Sequence, residues 1–285
     1  MSAAGGEGAA RLNEDRSALA AGAGGVLSTV SESGSSSFWD TLPLGRGVQL
    51  LNHDTNGLAA LGKPAGTLSH PNRGGEEARS LLNCHYTLDG EFYQWASPSG
   101  ALHRLWLLNR LDSATSGVIL VAAEEGLAKA IRALFREKHI RKVYAALVFG
   151  RPAEARQVWR DRLAIDKRGG QVRTTTGGNV PAESAMRLVR TGSPRQHPPR
   201  SLIQLEPRTG RSHQLRAQCA KRHLPIIGDA TYGEFALNRE FARRTGEKRL
   251  FLHSLETSFT YSWQGRTHSF SAHAELPAAF LQALE

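Results

Sequence analysis

The chain of 285 residues has only two cysteines, Cys84 and Cys219. They lie far apart and form no Cys-x-x-Cys pair. Neither a disulfide framework nor a thiolate metal site is indicated, and the expected setting is a reducing, cytoplasmic one. Eleven histidines are scattered without a His-Glu-x-x-His arrangement, so no metal site is expected. No apolar run reaches the roughly 18 residues of a transmembrane helix. No basic helix flanked by Trp and Leu is present to lie on a bilayer, so no membrane partner is expected. Acidic residues are also short, 26 against 36 Lys and Arg, which leaves a net charge of +10. An excess of that size favours a polyanion, and nucleic acid is the expected partner.

The first 37 residues have no aromatic and few large apolar side chains and are dominated by Gly, Ala and Ser. Such a segment cannot offset its own ordering entropy, and residues 1–40 are read as a disordered tail. The tail carries Glu7, Glu14, Asp15 and Glu32 against Arg11 and Arg16, so the basic excess belongs to the remainder. A basic start with an apolar centre, as in a signal peptide, is missing.

From residue 41 onward the pattern is that of one α+β domain with enough apolar content for a core. Val48–Asn52 and Gly57–Leu61 read as a strand pair turned at Asp54–Gly57. Glu76–His85 reads as a helix with Leu81 and Leu82 inward. Leu127, Ile131 and Leu134 recur at helical spacing within Glu124–His139. Val118–Ala122 and Val143–Phe149 read as buried strands. Arg160–Val189 suggests hairpin strands, Thr191–Arg200 a loop, and Leu202–Leu205 a further strand. Ser212 reads as the N-cap of a helix reaching Arg222. Thr257–Trp263 and Thr267–Ala274 flank a turn at Gln264–Gly265, and Pro277 opens a short helix.

The chemistry is expected at Leu108–Ala122. Asp112 is a single acid in a loop before a buried strand, with Arg110 two residues back. A carboxylate held ionised by a neighbouring guanidinium suits a nucleophile; the same pair on an exposed loop is an ion pair of roughly 0–1 kcal/mol. Lys129, Arg132, Arg136, Lys138, Arg141 and Lys142 gather along and after the helix. They complement its macrodipole or track phosphates. Taken alone, Tyr144 on an apolar strand reads as a core residue with its hydroxyl at the rim, and Arg211 and Arg216 as exposed helix charges.

Four segments, in order, carry a resemblance: Lys63-Pro64-Ala65-Gly66; Arg110-Leu111-Asp112 with Thr115-Ser116-Gly117; Lys142-x-Tyr144 leading to Gly150; and Thr209-Gly210-Arg211-Ser212-His213-Gln214-Leu215-Arg216 followed by Gly228-Asp229. From about Val48 to its end the chain resembles RNA pseudouridine synthases of the RluA family. The resemblance implies a mixed, largely antiparallel β-sheet with flanking helices and a central RNA-binding cleft. It implies one catalytic domain over 41–285 without an S4 domain. It further implies that Asp112 is the catalytic aspartate, Tyr144 the tyrosine contacting the base, Arg211 the basic partner of the aspartate, and Arg110 a residue holding the RNA with its target base turned out. Asn109 stands where the family usually has His.

Isomerising uridine imports no group and changes no oxidation state, so no cofactor is expected. Lys142, His213 and Arg216 are expected at the RNA, as a tRNA or rRNA stem-loop bound by a monomer. Leu252 is expected under the uracil or in the core. The alternative is a catalytically silent RNA-binding protein of the same fold.

Overall fold

In the computed structural model, residues 38–168 and 171–285 are described. Gln49–His53 (β1) and Leu58–Lys63 (β2) form the antiparallel pair read from the sequence. Asp54 closes their turn by accepting the backbone N–H groups of Asn56 and Leu58 at 2.9 and 3.0 Å. His85–Thr87 (β3), Phe92–Ala96 (β4) and Leu102–Leu107 (β5) follow. Helix Glu125–Glu137 (α1) separates Ser116–Ala122 (β6) from Arg141–Phe149 (β7). Next come Arg156–Arg168 (β8), Gln171–Thr176 (β9), Val180–Thr191 (β10) and Arg200–Pro207 (β11). Helices Gln214–Lys221 (α2) and Phe235–Thr245 (α3) precede Leu252–Trp263 (β12), Arg266–His273 (β13) and the short helix Ala279–Gln282 (α4).

The strands build one mixed sheet in the order β3-β4-β5-β6-β12-β7-β11-β10-β8-β9, with β2 also on β6, β1 on β2 and β13 on β12. Neighbours are antiparallel except β6 and β12. The unbroken apolar run of β6 follows from burial on both faces. Val118, Leu120 and Ala122 enter one core, with Leu127 and Ile131 of α1, while Ile119 and Val121 enter another, with Leu81 and Tyr93. Period-two alternation would have exposed one of these sets. Burying Leu127 and Ile131 completely stabilises α1 by about 1.5–3 kcal/mol each. A third core lies around β7 and β11, closed by Cys219, Phe241 and Phe280.

The crossing of β6 and β12 depends on Gly117. Its φ is +112°, and a Cβ there would stand 2.1 Å from the Ser254 carbonyl oxygen. The strand that follows Asp112 can meet β12 only without a side chain at this position.

The structure corrects several expectations. Residues 1–37 of the expected tail lie outside the described residues, but Phe38–Thr41 form a 3-10 turn with Trp39 buried, so residues 38–40 belong to the domain. The helix expected over Glu76–His85 shrinks to a 3-10 turn at Glu77–Arg79. Ser80 and Leu82 instead make single β-bridges with Leu68 and Leu44, and that extended chain drives both Leu81 and Leu82 into the core. Ser212 is not a cap: His213 takes the N-cap position in left-handed conformation, and the Ser212 carbonyl accepts a hydrogen bond from Thr174. Strands β3 to β5 and helix α3 went unread.

Candidate active site

Asp112 sits on a loop fastened at both ends. On one side Ser69 brackets Leu111, accepting its N–H at 3.0 Å and donating to its carbonyl at 2.8 Å. Asn109 accepts the N–H of Leu120 at 2.7 Å, tying the loop to β6. On the other side the buried Lys63 ammonium donates to the carbonyls of Ser113, Pro64 and Thr67, at 3.0, 3.1 and 2.6 Å. Burial pulls Lys63 down to about 7, opposed by the charge of Asp112.

Opposite this loop stands the first turn of α2. Arg216 donates from Nη1 to Asp112 Oδ2 at 3.0 Å. Its Nε and Nη2 grip the two oxygens of Asp229, each at 2.8 Å, and Nη2 also reaches Thr231 at 3.2 Å. Asp229 is fixed in turn by the N–H groups of Thr231 and Tyr232. Burial opposes the charge on Arg216, but Asp229 and then Asp112 outweigh it and hold the guanidinium above its ordinary value. Burial likewise opposes ionisation of Asp229, and Arg216 reverses the balance and lowers it. His213 Nε2 lies 3.6 Å from the same Asp112 Oδ2, and its Nδ1 lies 2.9 Å from the Tyr232 hydroxyl. Burial lowers His213, with Asp112 opposing. Both side-chain contacts to Asp112 fall on Oδ2; Oδ1 has no hydrogen-bond partner among the described residues.

These groups open onto a cavity of about 350 Å³. Its walls are the Leu108–Asp112 loop, Phe135 of α1, Lys142 and Tyr144 of β7, the segment from Thr209 to Arg216, and Leu252 of β12. Arg110, Asp112, Lys142, Tyr144, Arg211, His213, Arg216 and Leu252 therefore reach one place, although they come from four parts of the chain. Burial pushes the Tyr144 phenol up to about 12, helped by the charge of Asp112. Burial also lowers Lys142, whose ammonium lies 5.8 Å from the Phe135 ring centre. Leu252 is both core and wall.

Two expected pairings differ. Arg211 does not partner Asp112. It is exposed, and its Nε points to the Pro181 carbonyl at 3.4 Å; the guanidinium on the aspartate is Arg216, in the first turn of α2. Arg110 is exposed on the cavity wall and forms no ion pair with Asp112. The basic row along α1 is also partly spent. Lys129 pairs with Glu125, and Arg132 pairs with Glu91 and donates to the carbonyls of Leu107 and Glu91.

Residues 57–221, from β2 through α2, match the RNA pseudouridylate synthase family. The chain belongs to that family. It is 32% identical over 213 residues to the tRNA pseudouridine synthase C of Pasteurella multocida, covering 72% of this chain and 82% of that one. It is 30% identical over 212 residues to the ribosomal large subunit pseudouridine synthase C of Vibrio vulnificus, covering 74% and 61% respectively. The fold is that of the human RNA pseudouridylate synthase domain containing 4, with a TM-score of 0.57 at 20% identity over 82% of this chain and 91% of that one.

The chain is thus an RNA pseudouridine synthase with a mixed sheet, and the matched region contains both the Asp112 loop and Arg216. Asp229 and Leu252 of the synthase lie beyond it. Gly228-Asp229 belongs to the fourth segment, but neither Asp229 nor Tyr232 carries a role that the sequence alone implies. The available signal was an acid directly after a glycine: Gly228 has φ +75°, and a Cβ there would meet the Arg249 carbonyl oxygen at 1.8 Å.

Proposed function

We propose that this synthase converts particular uridines to pseudouridine in structured tRNA or rRNA, with Asp112 as the catalytic carboxylate and the target uridine turned out of its stack into the cavity. The named relatives act on one or the other RNA, and the basic charge suits both. The observation that carries the reading is Asp112 itself: one oxygen is held by Arg216, the other is unpartnered, and the carboxylate faces a cavity.

The reaction breaks the C1′–N1 bond, turns the uracil and joins C1′ to C5. C5 gives up its proton and N1 gains one, so the base keeps its composition and no cofactor is called for. Asp112 acts at the ribose, by attack on C1′ or by taking the 2′ proton. Arg216 is its positioning residue and compensates its charge. Tyr144 offers a ring for the base to stack on and a phenol that stays protonated. Leu252 packs under the uracil. Arg110, Lys142, Arg211 and His213 contact the phosphates and ribose around it. Extruding the base costs a few kcal/mol, least in a loop, and these contacts offset it.

The test is tritium release from C5-labelled uridine in tRNA and rRNA transcripts. Asp112→Asn is expected to bind RNA as the wild type does and to lose turnover by about 10²-fold or more. Turnover near the wild-type rate would remove Asp112 from the mechanism.

A further inference from the structure

A second cavity, of about 570 Å³, adjoins the first and has no part in the chemistry above. It runs between β8 and β10 and is bordered by Lys138, Arg160, Arg162, Arg208 and Lys221. Only Asp161 and Glu183 oppose these five cations, and both are already engaged. Asp161 is fully buried and takes Lys221 at 2.7 Å and Arg222 at 2.9 Å. Glu183 takes Arg160 at 3.2 Å and Arg208 at 3.0 Å. Arg162 and Lys138 are exposed and have no ion pair among the described residues. The groove therefore presents excess positive charge with two uncompensated heads.

Two contacts join it to the catalytic cavity. Thr209 lines both. Arg211, on the wall of the first, donates to the carbonyl of Pro181, on the wall of the second, and so stands on the saddle between them. The Arg211 guanidinium, turned away from Asp112, faces the route a chain would take from one cavity to the other.

The geometry points to the β8–β10 groove as the track for the phosphodiester backbone of the RNA flanking the target uridine, with Arg211 at its entrance and Arg162 and Lys138 as its main phosphate contacts. This rests on the reading of the site as one that modifies structured RNA. It adds a substrate requirement: nucleotides beyond the extruded uridine contribute to affinity through their phosphates and not through their bases. The groove is lined by charged side chains with Pro181, Ala182 and Thr209 between them, and no aromatic ring lines it to stack on. Recognition there is accordingly indifferent to sequence.

The experiment measures binding of a pool of unmodified tRNA transcripts, and of a short oligouridylate that fills only the catalytic cavity, across a salt series. The variants are Arg162→Glu/Lys138→Glu, the milder Arg162→Gln/Lys138→Gln, and a control, Arg266→Glu, an exposed arginine that lines neither cavity. Each lost phosphate contact removes about 0.7 from the log–log slope, so either double variant is expected to flatten the tRNA slope by about 1.4 and leave oligouridylate binding unchanged. A tRNA slope no flatter than that of Arg266→Glu overturns the proposal, as does an equal loss on the oligouridylate. Absence of tritium release by the wild-type protein on any RNA would instead overturn the modification reading, while the salt slopes would still report on the groove.

Discussion

Asp229 takes two hydrogen bonds from Arg216, each 2.8 Å long, and thereby turns the remaining guanidinium nitrogen onto Asp112. The buried carboxylate is the anchor, and the partly exposed one faces the cavity. A lysine could not do this, because a bidentate grip on one acid with a third nitrogen for another needs a planar fork.

Arg216 and Arg211 should therefore separate cleanly. Arg216→Lys and Asp229→Asn are expected to lower kcat by tenfold or more with little change in RNA affinity. Asp229→Asn should also cost about 3–5 kcal/mol in denaturant unfolding, since it leaves a buried guanidinium poorly paired. Arg211→Ala is expected to weaken binding and leave kcat at saturating RNA close to the wild-type value. The reverse pattern would return Arg211 to the aspartate.

At Gly117 even one methyl group is expected to be too much. Gly117→Ala places a Cβ 2.1 Å from Ser254 O at a φ of +112°. Strain of this kind costs of order 1–3 kcal/mol when the backbone can hold, and more when strands must part. Thermal unfolding should fall, and turnover with it, because the Asp112 loop enters β6 here. A melting temperature equal to the wild type's would mean that the β6–β12 crossing is looser than drawn.

Stability should fall in mild acid through His253. Arg249 donates to the Ser116 hydroxyl, Ser116 in turn faces His253 Nδ1 at 2.8 Å, and Nε2 lies 3.2 Å from the Ala274 carbonyl. This arrangement suits a neutral ring, and burial pulls its pKa from 6.5 to about 4. The unfolded chain then binds a proton that the folded chain refuses, so the penalty appears as pH drops below 6.5 and is complete near 4, reaching about 3 kcal/mol. Urea unfolding of the wild type and of His253→Gln at several pH values isolates this contribution. Parallel pH curves for the two would show that His253 is not buried neutral.

Arg132 is expected to act on stability and not on RNA. Its guanidinium donates to Leu107 O at 2.6 Å and pairs with Glu91 at 3.3 Å. Arg132→Ala should cost about 1–3 kcal/mol, the usual range for leaving a buried acceptor unmet. Its RNA salt slope should match the wild type's. A flattened slope would restore the α1 face as a phosphate contact.

The local elements were readable where the chain's own pattern decides them. The β1–β2 and β12–β13 hairpins, α1, and the buried strands β6 and β7 follow from turn residues and from apolar runs of the right length. Where two segments compete for the same backbone groups, the pattern misleads: Ser80 and Leu82 look helical but find bridge partners upstream, at Leu68 and Leu44. Helix α3 buries one side chain, Phe241, and so shows little periodicity to read.

At the site, a lone carboxylate before a buried strand marked Asp112 as a candidate, and the four-segment resemblance added Tyr144 and the Arg211–Arg216 segment, whose local pattern fits a core residue and exposed charges equally well. Which arginine meets the aspartate was not local. Arg211 lies before α2 and Arg216 in its first turn, and their directions are set by the left-handed turn at His213 and by Asp229, thirteen residues past Arg216. The resemblance paired Arg211 with the carboxylate and gave Arg216 to the RNA; only the packing of α2 against the Asp112 loop and the Asp229 turn decided that Arg216 is the one within 3.0 Å of it.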